Sequence, residues 1–168
     1  DTVLERHDSR AVLERLTRTN RFVIPLDENG EWYRYHHLFG EMLVAEARRR
    51  DAATVTRIAT RASEWWDARF EPDAAVTLAL VAPDRPRAVD LIGRWGPFLQ
   101  SDRRRVTVER WVAAFPDDEV LRTPTLAVTA AWNAALVGDT TSVHRFLSSV
   151  ERSADRDPAD GTESLRAA

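Results

Sequence analysis

Cysteine is absent from the 168 residues, so neither a disulfide framework nor a thiolate metal site can form. Lysine is absent too: all 24 basic residues are arginine. A Walker-type phosphate loop uses its lysine to reach the β- and γ-phosphates, so this chain cannot hydrolyse ATP by that chemistry on its own. Methionine occurs once, at Met42, and a chain that does not open on methionine is expected to be a piece of a longer protein. No apolar run approaches the roughly 18 residues of a membrane helix, and no secretory leader is recognisable. No membrane partner is therefore expected, and a cytoplasmic location fits. The net charge of −3 argues against a surface built wholly to hold nucleic acid.

What is present is the balance of a soluble globular chain, 43% hydrophobic and 30% charged, with room for one ordinary domain or two small ones. The most informative stretch runs from Phe22 to Leu43. Phe22, Val23 and Ile24 favour a strand, Asp27 to Gly30 supply a turn, and Trp32, Tyr33 and Tyr35 read as the return strand. Asn29-Gly30 is a strong hairpin signal, because both residues tolerate positive φ. After Tyr35 the period changes from two to about 3.6, placing Leu38, Met42 and Ala45 on one helical stripe with Phe39 beside it. A short helix over residues 10–18, the hairpin and the helix after it make a winged-helix-like unit.

The run NRFVIPLDENGEWYRYHHLFGEML, and WYRYHHLF within it, resembles the end of the winged-helix part of LuxR-type transcriptional regulators of the MalT kind. These are large signal-transduction ATPases with an inducer-sensing superhelix and a DNA-binding domain. The resemblance continues as helix order through about Val150. It implies three parts: residues 1–50 as the winged-helix-like end of the ATPase regulatory module, 51–155 as a tetratricopeptide-like helical region, and 156–168 as a flexible tail or linker.

The remaining pattern is helical. Asp8 or Ser9 can cap the first helix, whose stripe is Val12, Leu13 and Leu16. The helix after the hairpin closes on Arg48, Arg49 and Arg50, which complement the negative end of its dipole. Over 54–70 the residues Val55, Ile58, Ala59, Ala62, Trp65, Trp66 and Phe70 follow i, i+3, i+4, i+7 spacing. Pro72 should open a helix over 72–81 carrying Ala75, Leu78 and Ala79. After Asp84 come Ala88, Leu91, Ile92, Trp95 and Leu99, and Gly96-Pro97 should bend that helix or end it early. A helix over 103–115 turns Val108, Trp111, Val112 and Phe115 inward. Pro116 and Pro124 flank a turn-rich link. Residues 125–137 are apolar almost all round and should be buried, and Gly138-Asp139 ends that helix and caps the next, with Val143, Phe146, Leu147 and Val150 on one face.

The segments after Asp84 and Asp139 repeat with an offset of 55: Ala88 matches Val143, Leu91-Ile92 matches Phe146-Leu147, and Trp95 matches Val150. A tetratricopeptide helix pair takes about 34 residues, so the unit would be of that kind with an extra helix between. The fold class expected is mainly α, a short hairpin in a winged-helix-like part followed by tetratricopeptide-like α-hairpin repeats.

Catalytic constellations are missing. His36 and His37 are adjacent and point about 100° apart on a helix, so they cannot jointly chelate. There is no HExxH spacing and no GxSxG elbow, and an enzyme is not expected. The segment Arg34-Tyr35-His36-His37-Leu38 resembles the arginine-x-histidine-x-leucine segment of related nucleotide-binding switch proteins, including immune receptors. There the histidine contacts the β-phosphate of bound ADP, and by position that role falls on His36. A helix start offers free backbone donors, a natural phosphate site. His37 stands where the immune receptors commonly have an acidic residue. The other role for His36 is capping and packing at the junction.

The resemblance implies a regulatory and sensor fragment that relays nucleotide state and ligand or partner binding to a DNA-binding output. ATP or ADP would be held by a domain of the parent outside this chain. The expected partners are that ATPase domain, downstream helical repeats, an unidentified inducer or protein ligand, and a second copy of the parent. Direct nucleic-acid contact is not expected. The alternatives are a helical interaction scaffold, or a regulatory segment of another effector such as a protein kinase. Any of Trp65, Trp66, Trp95, Trp111 and Trp132 left exposed would mark a binding surface.

Overall fold

A computed structural model describes residues 3–5, 7–19, 22–101 and 104–156; the tail over 157–168 and Arg103 lie outside the described residues. The elements are α1 (Ser9–Thr19), β1 (Val23–Pro25), β2 (Tyr33–Tyr35), α2 (His37–Asp67), α3 (Pro72–Val81), α4 (Arg85–Ser101), α5 (Arg105–Ala113), α6 (Asp117–Arg122), α7 (Pro124–Leu136) and α8 (Thr140–Arg156). The protein is thus mainly helical with one small two-stranded sheet, as the sequence pattern implies.

The strands pair antiparallel with Val23 opposite Tyr35, Ile24 opposite Arg34 and Pro25 opposite Tyr33. The connection is wider than a two-residue turn. Leu26 N–H bonds the Trp32 carbonyl at 2.8 Å, and the Asp27 carboxylate accepts the N–H groups of Glu31 and Trp32. Gly30 takes the positive φ, 63°, while Asn29 does not. The turn is therefore held by an aspartate side chain closing a seven-residue loop, an Asx arrangement.

The helix after the hairpin and the helix over 54–70 form one element, α2, interrupted at Asp51, whose backbone (φ −154°, ψ 83°) is non-helical. Asp51 Oδ1 accepts the Thr54 N–H at 2.9 Å and so caps the second half. The stripe of Leu38, Met42 and Ala45 does not face inward: all three are exposed. The hairpin instead holds α2 by Phe39, whose ring stacks on Phe22 at 4.8 Å. On the second half the buried pair is Ala59 and Ser63, and Phe70 lies beyond the helix with its ring in solvent.

The core sits in the helices from α3 to α7. Ala75, Val76 and Ala79 of α3 meet Ala88, Leu91, Ile92 and Leu99 of α4, with Val108 and Trp111 of α5, Val120 of α6 and Leu126 of α7 closing the cluster. Pro72 opens α3 at its first turn, where a missing N–H removes nothing. Gly96-Pro97 does not end α4, which runs on to Ser101 with Pro97 inside it. Packing overrides the local rule: Leu99 and Gln100 beyond the proline are buried, and Gln100 Nε2 bonds the Thr129 carbonyl at 3.0 Å and Asn133 Oδ1 at 2.9 Å. The link between Pro116 and Pro124 is a short helix, α6, with three acidic residues in its first turn to suit the dipole. The helix expected over 103–115 begins at Arg105.

Helix α7 is buried on one side only. Leu126, Ala127, Ala130, Ala131 and Ala134 are covered, whereas Val128, Trp132 and Leu136 face solvent. The two aspartate corners are locally alike. Asp84 N–H bonds the Ala79 carbonyl and Asp139 N–H the Ala134 carbonyl, both at 3.0 Å. Each aspartate then caps the N–H three residues on, Arg87 or Ser142, both at 3.1 Å. Their surroundings differ: Ala88, Leu91 and Ile92 are fully buried, whereas Val143 and Phe146 are half-buried and Leu147 is exposed.

Candidate functional site

The hairpin–helix junction is built by extending the ladder one step. His36 N–H bonds the Phe22 carbonyl at 2.8 Å, and the His36 carbonyl accepts the Gly40 N–H at 2.9 Å. His36 thus belongs to both elements. Its extended backbone (φ −55°, ψ 133°) makes it the N-cap of α2, yet its side chain caps no backbone N–H. Val23, paired with Tyr35 in the ladder, is buried, whereas both imidazoles are exposed.

Ile24, Arg34, Tyr35, His36 and His37 line a cleft of about 200 Å³. The imidazole centroids lie 5.4 Å apart. Arg34 makes no ion pair among the described residues. Three features favour an anion at this corner: a guanidinium without a carboxylate, two imidazoles, and first-turn N–H groups that no side chain serves. The donor set fits the phosphate end of a nucleotide. Among the described residues no group of three His, Cys, Asp or Glu is placed to hold a metal ion, and no helix is long and apolar enough to cross a membrane.

The basic runs are engaged. Arg49 and Arg50 both bond Glu46, Arg48 donates to the Val81 carbonyl at 3.2 Å, and Arg105 pairs with Glu109 at 2.7 Å. Of the tryptophans named in the sequence, Trp111 is buried, Trp65, Trp66 and Trp95 are half-buried, and Trp132 is exposed. Trp111 Nε1 donates to Asp73 Oδ1 at 2.9 Å, and Arg110 donates to the same oxygen. Burial pushes the Asp73 carboxyl upward, but the bonds from Arg110 and Trp111 outweigh it and hold it below its ordinary value.

Sequence pattern alone did not single out a second polar cluster, centred on Asp67 at the end of α2. Its Oδ1 accepts Trp95 Nε1 at 3.0 Å and its Oδ2 accepts Arg94 Nη1 at 2.9 Å, with Arg87 Nη2 at 3.6 Å. Ser63, one turn earlier, is fully buried; it donates to the Ala75 carbonyl at 2.8 Å and accepts from Arg87 Nε at 2.9 Å. The available signal was spacing: Ser63 and Asp67 are four apart on the apolar face.

A hairpin whose second strand runs straight into a helix, with a helix before it, is a winged-helix-like arrangement. Residues 1–55 match the family model of the MalT winged helix domain. The chain is similar to the HTH-type transcriptional regulator MalT of Klebsiella pneumoniae subsp. pneumoniae, 34% identical over 122 residues, or 71% of this chain. Its likeness to the protein of the same name from Klebsiella pneumoniae strain 342 is 33% over the same share. The chain is therefore MalT-like through its winged-helix part and into its helical part, and it spans 13% of the length of those relatives. No solved structure matches it.

Proposed function

We propose that this chain is a regulatory and sensor segment of a larger MalT-like transcriptional regulator, and that it performs no reaction itself. Residues 1–50 form the winged-helix-like end of an ATPase module, and residues 51–155 form a tetratricopeptide-like stack that takes up a ligand or partner. The two locally alike corners at Asp84 and Asp139 support the repeat. Stacked pairs of this kind leave a face for their neighbours, and the solvent-facing Val128, Trp132 and Leu136 of α7 are such a face.

One observation carries the nucleotide reading: His36 is locked by its backbone at the strand–helix junction while its ring stays free beside Arg34. In the full-length protein it would hold the phosphate end of ADP supplied by the ATPase domain, favouring a closed state. ATP and inducer would favour an open, self-associating one, each by preferring that state. The test is ADP retention by the full-length protein carrying His36→Ala. A substantial loss of retention is expected; unchanged retention removes the nucleotide role. Arg49 and Arg50, paired with Glu46, and Arg48, bonded to the Val81 carbonyl, argue against direct DNA contact by this segment, so its affinity for DNA should be weak and without a steep salt slope.

A further inference from the structure

A cleft of about 640 Å³ lies where the end of α2 meets α4, within the size range of small-molecule sites. Phe70, Trp95 and Phe98 line it with rings, and Arg87, Arg94, Asp67 and Glu64 line it with charge. Phe70 and Trp95 meet edge to face at 5.9 Å, and Trp95 and Phe98 at 6.3 Å. Phe70 is 77% exposed and Phe98 65% exposed.

The backbone at Phe70 makes this cleft more than a patch of surface. Glu71 N–H bonds the Trp66 carbonyl and Phe70 N–H the Asp67 carbonyl, the bond pair of a Schellman helix end. That motif puts Phe70 in the left-handed region, at φ 59°. The same motif at the end of α7 uses Gly138, at φ 76°, which has no Cβ to clash. A bulky aromatic at such a position is a strained outlier, and here its ring is not even buried in exchange. Local conformation disfavours a phenylalanine there, and its packing is limited to the edge of Trp95; a ligand-facing ring accounts for the rest.

Two carboxylates and two guanidiniums balance in charge here, and the donors left to spare belong to the guanidiniums. Both Asp67 oxygens already accept, and the Trp95 N–H already donates. Arg94, 55% exposed, gives one N–H to Asp67, leaving the rest of its guanidinium fork for an acceptor on the ligand. We propose that this cleft binds a small flat aromatic molecule carrying a carboxylate, its ring among Phe70, Trp95 and Phe98 and its carboxylate on Arg94. This gives the helical part of the proposed sensor a ligand site of its own, and it is independent of the His36 reading.

The test is calorimetric titration of the protein with 2-naphthoate and with its neutral isostere 2-naphthalenemethanol, following the Trp95 indole N–H by NMR. The expected result is saturable naphthoate binding that shifts the Trp95 signal, at least about tenfold tighter than the alcohol, because a charge-assisted hydrogen bond is lost. Phe70→Gly should abolish binding while leaving the melting temperature equal or higher, since glycine relieves the strained φ. Arg94→Gln should keep ring binding and lose the preference for the carboxylate. Absence of saturable binding, equal affinity for the two probes, or undiminished binding by Phe70→Gly would each overturn the assignment. Should naphthoate fail while a peptide with a C-terminal aromatic residue binds at the same ring cluster, the cleft is a protein-docking site and the small-molecule proposal falls. None of these outcomes bears on ADP retention through His36.

Discussion

Ser63→Ala tests how α2, α3 and α4 are tied together. The serine hydroxyl is fully buried and joins three elements: it sits on α2, donates to the Ala75 carbonyl of α3, and accepts from Arg87 Nε of α4. Alanine is the better helix former and fills almost the same space, so propensity and packing alone would favour the substitution by a few tenths of a kcal/mol. Against that, the guanidinium N–H at Arg87 loses its acceptor where its side chain is only 23% exposed. Stranding a buried donor, and one on a charged group, costs about 1–3 kcal/mol. For a chain of this length each kcal/mol moves the melting temperature by about 2–4 °C, so a fall of roughly 2–12 °C is expected. Urea unfolding should show a lower midpoint with an unchanged slope. The double variant Ser63→Ala/Arg87→Met should lose less than the sum of the two single variants, since the stranded donor is gone. If Ser63→Ala lies within about 0.5 kcal/mol of the parent chain, the three-element tie contributes nothing net and the reasoning fails.

Four further perturbations separate local rules from packing. Gly93→Ala places a Cβ 2.7 Å from Thr125 Cγ2, so the Thr125 side chain or the α4–α7 packing must shift; a loss of about 1–3 kcal/mol is expected by denaturant titration. Gly96→Ala meets Thr129 Cγ2 at an ordinary 3.5 Å and should be neutral or gain up to about 1 kcal/mol of helix propensity, so the two glycines of one helix should differ in sign. The Asp73 carboxyl is held below its ordinary 3.8, so the stability it adds is present above that value and is lost as pH falls through the lower folded value. Asp73→Asn should therefore flatten the acid limb of the stability curve below about pH 4 and leave its shape near pH 7 unchanged. Asp84→Ala removes the cap on Arg87 N–H and should cost about 1 kcal/mol in the same titrations.

The hairpin, the start of α3 at Pro72 and the end of α7 at Gly138 were legible because each rests on a local preference: β-branched and aromatic residues, a missing N–H, and a tolerated positive φ. The inward faces of α4 and α5 were legible from periodicity, because both helices are covered by neighbours. Where periodicity misled, the neighbour was the missing information. Leu38 and Met42 have the spacing of a core stripe and face solvent, and α7 looks apolar all round and is covered on one side. The reading of Gly96-Pro97 as a break failed because Gln100 and Leu99 secure the following turn from outside the helix. Phe70 fits the α2 stripe by spacing, but the chain leaves the helix three residues earlier, which no count of apolar positions reveals. His36 was legible as a position at the strand–helix change of period; that its side chain makes no cap bond was not, because capping depends on a rotamer. The Asp67 cluster stayed hidden because its partners, Arg87, Arg94 and Trp95, come from a helix 20 or more residues on.

Between the hairpin and the helical stack the connections among the described residues are local. One is α2 itself, broken at Asp51 and recapped there. Among the described residues, side-chain contacts that bridge the rest include Trp32 against Trp66 at 6.1 Å, Glu5 with Arg61 at 2.9 Å, and Arg48 on the Val81 carbonyl. None of these is buried deeply enough to be rigid by packing alone, and a surface ion pair contributes at most about 1 kcal/mol. A relay through this chain would therefore act by swinging the first half of α2 about Asp51, with those contacts setting which orientation is favoured, and not by transmitting small shifts through a packed interior. Energetic coupling carried so would be no larger than the contacts that differ between orientations, on the order of 1–3 kcal/mol, the size usual for coupled sites. The stack from α3 to α7, by contrast, shares one buried cluster. In the regulator proposed above, burial would then divide the labour: the helical body would hold the ligand, and the lightly tethered β-arm would report on it by its orientation.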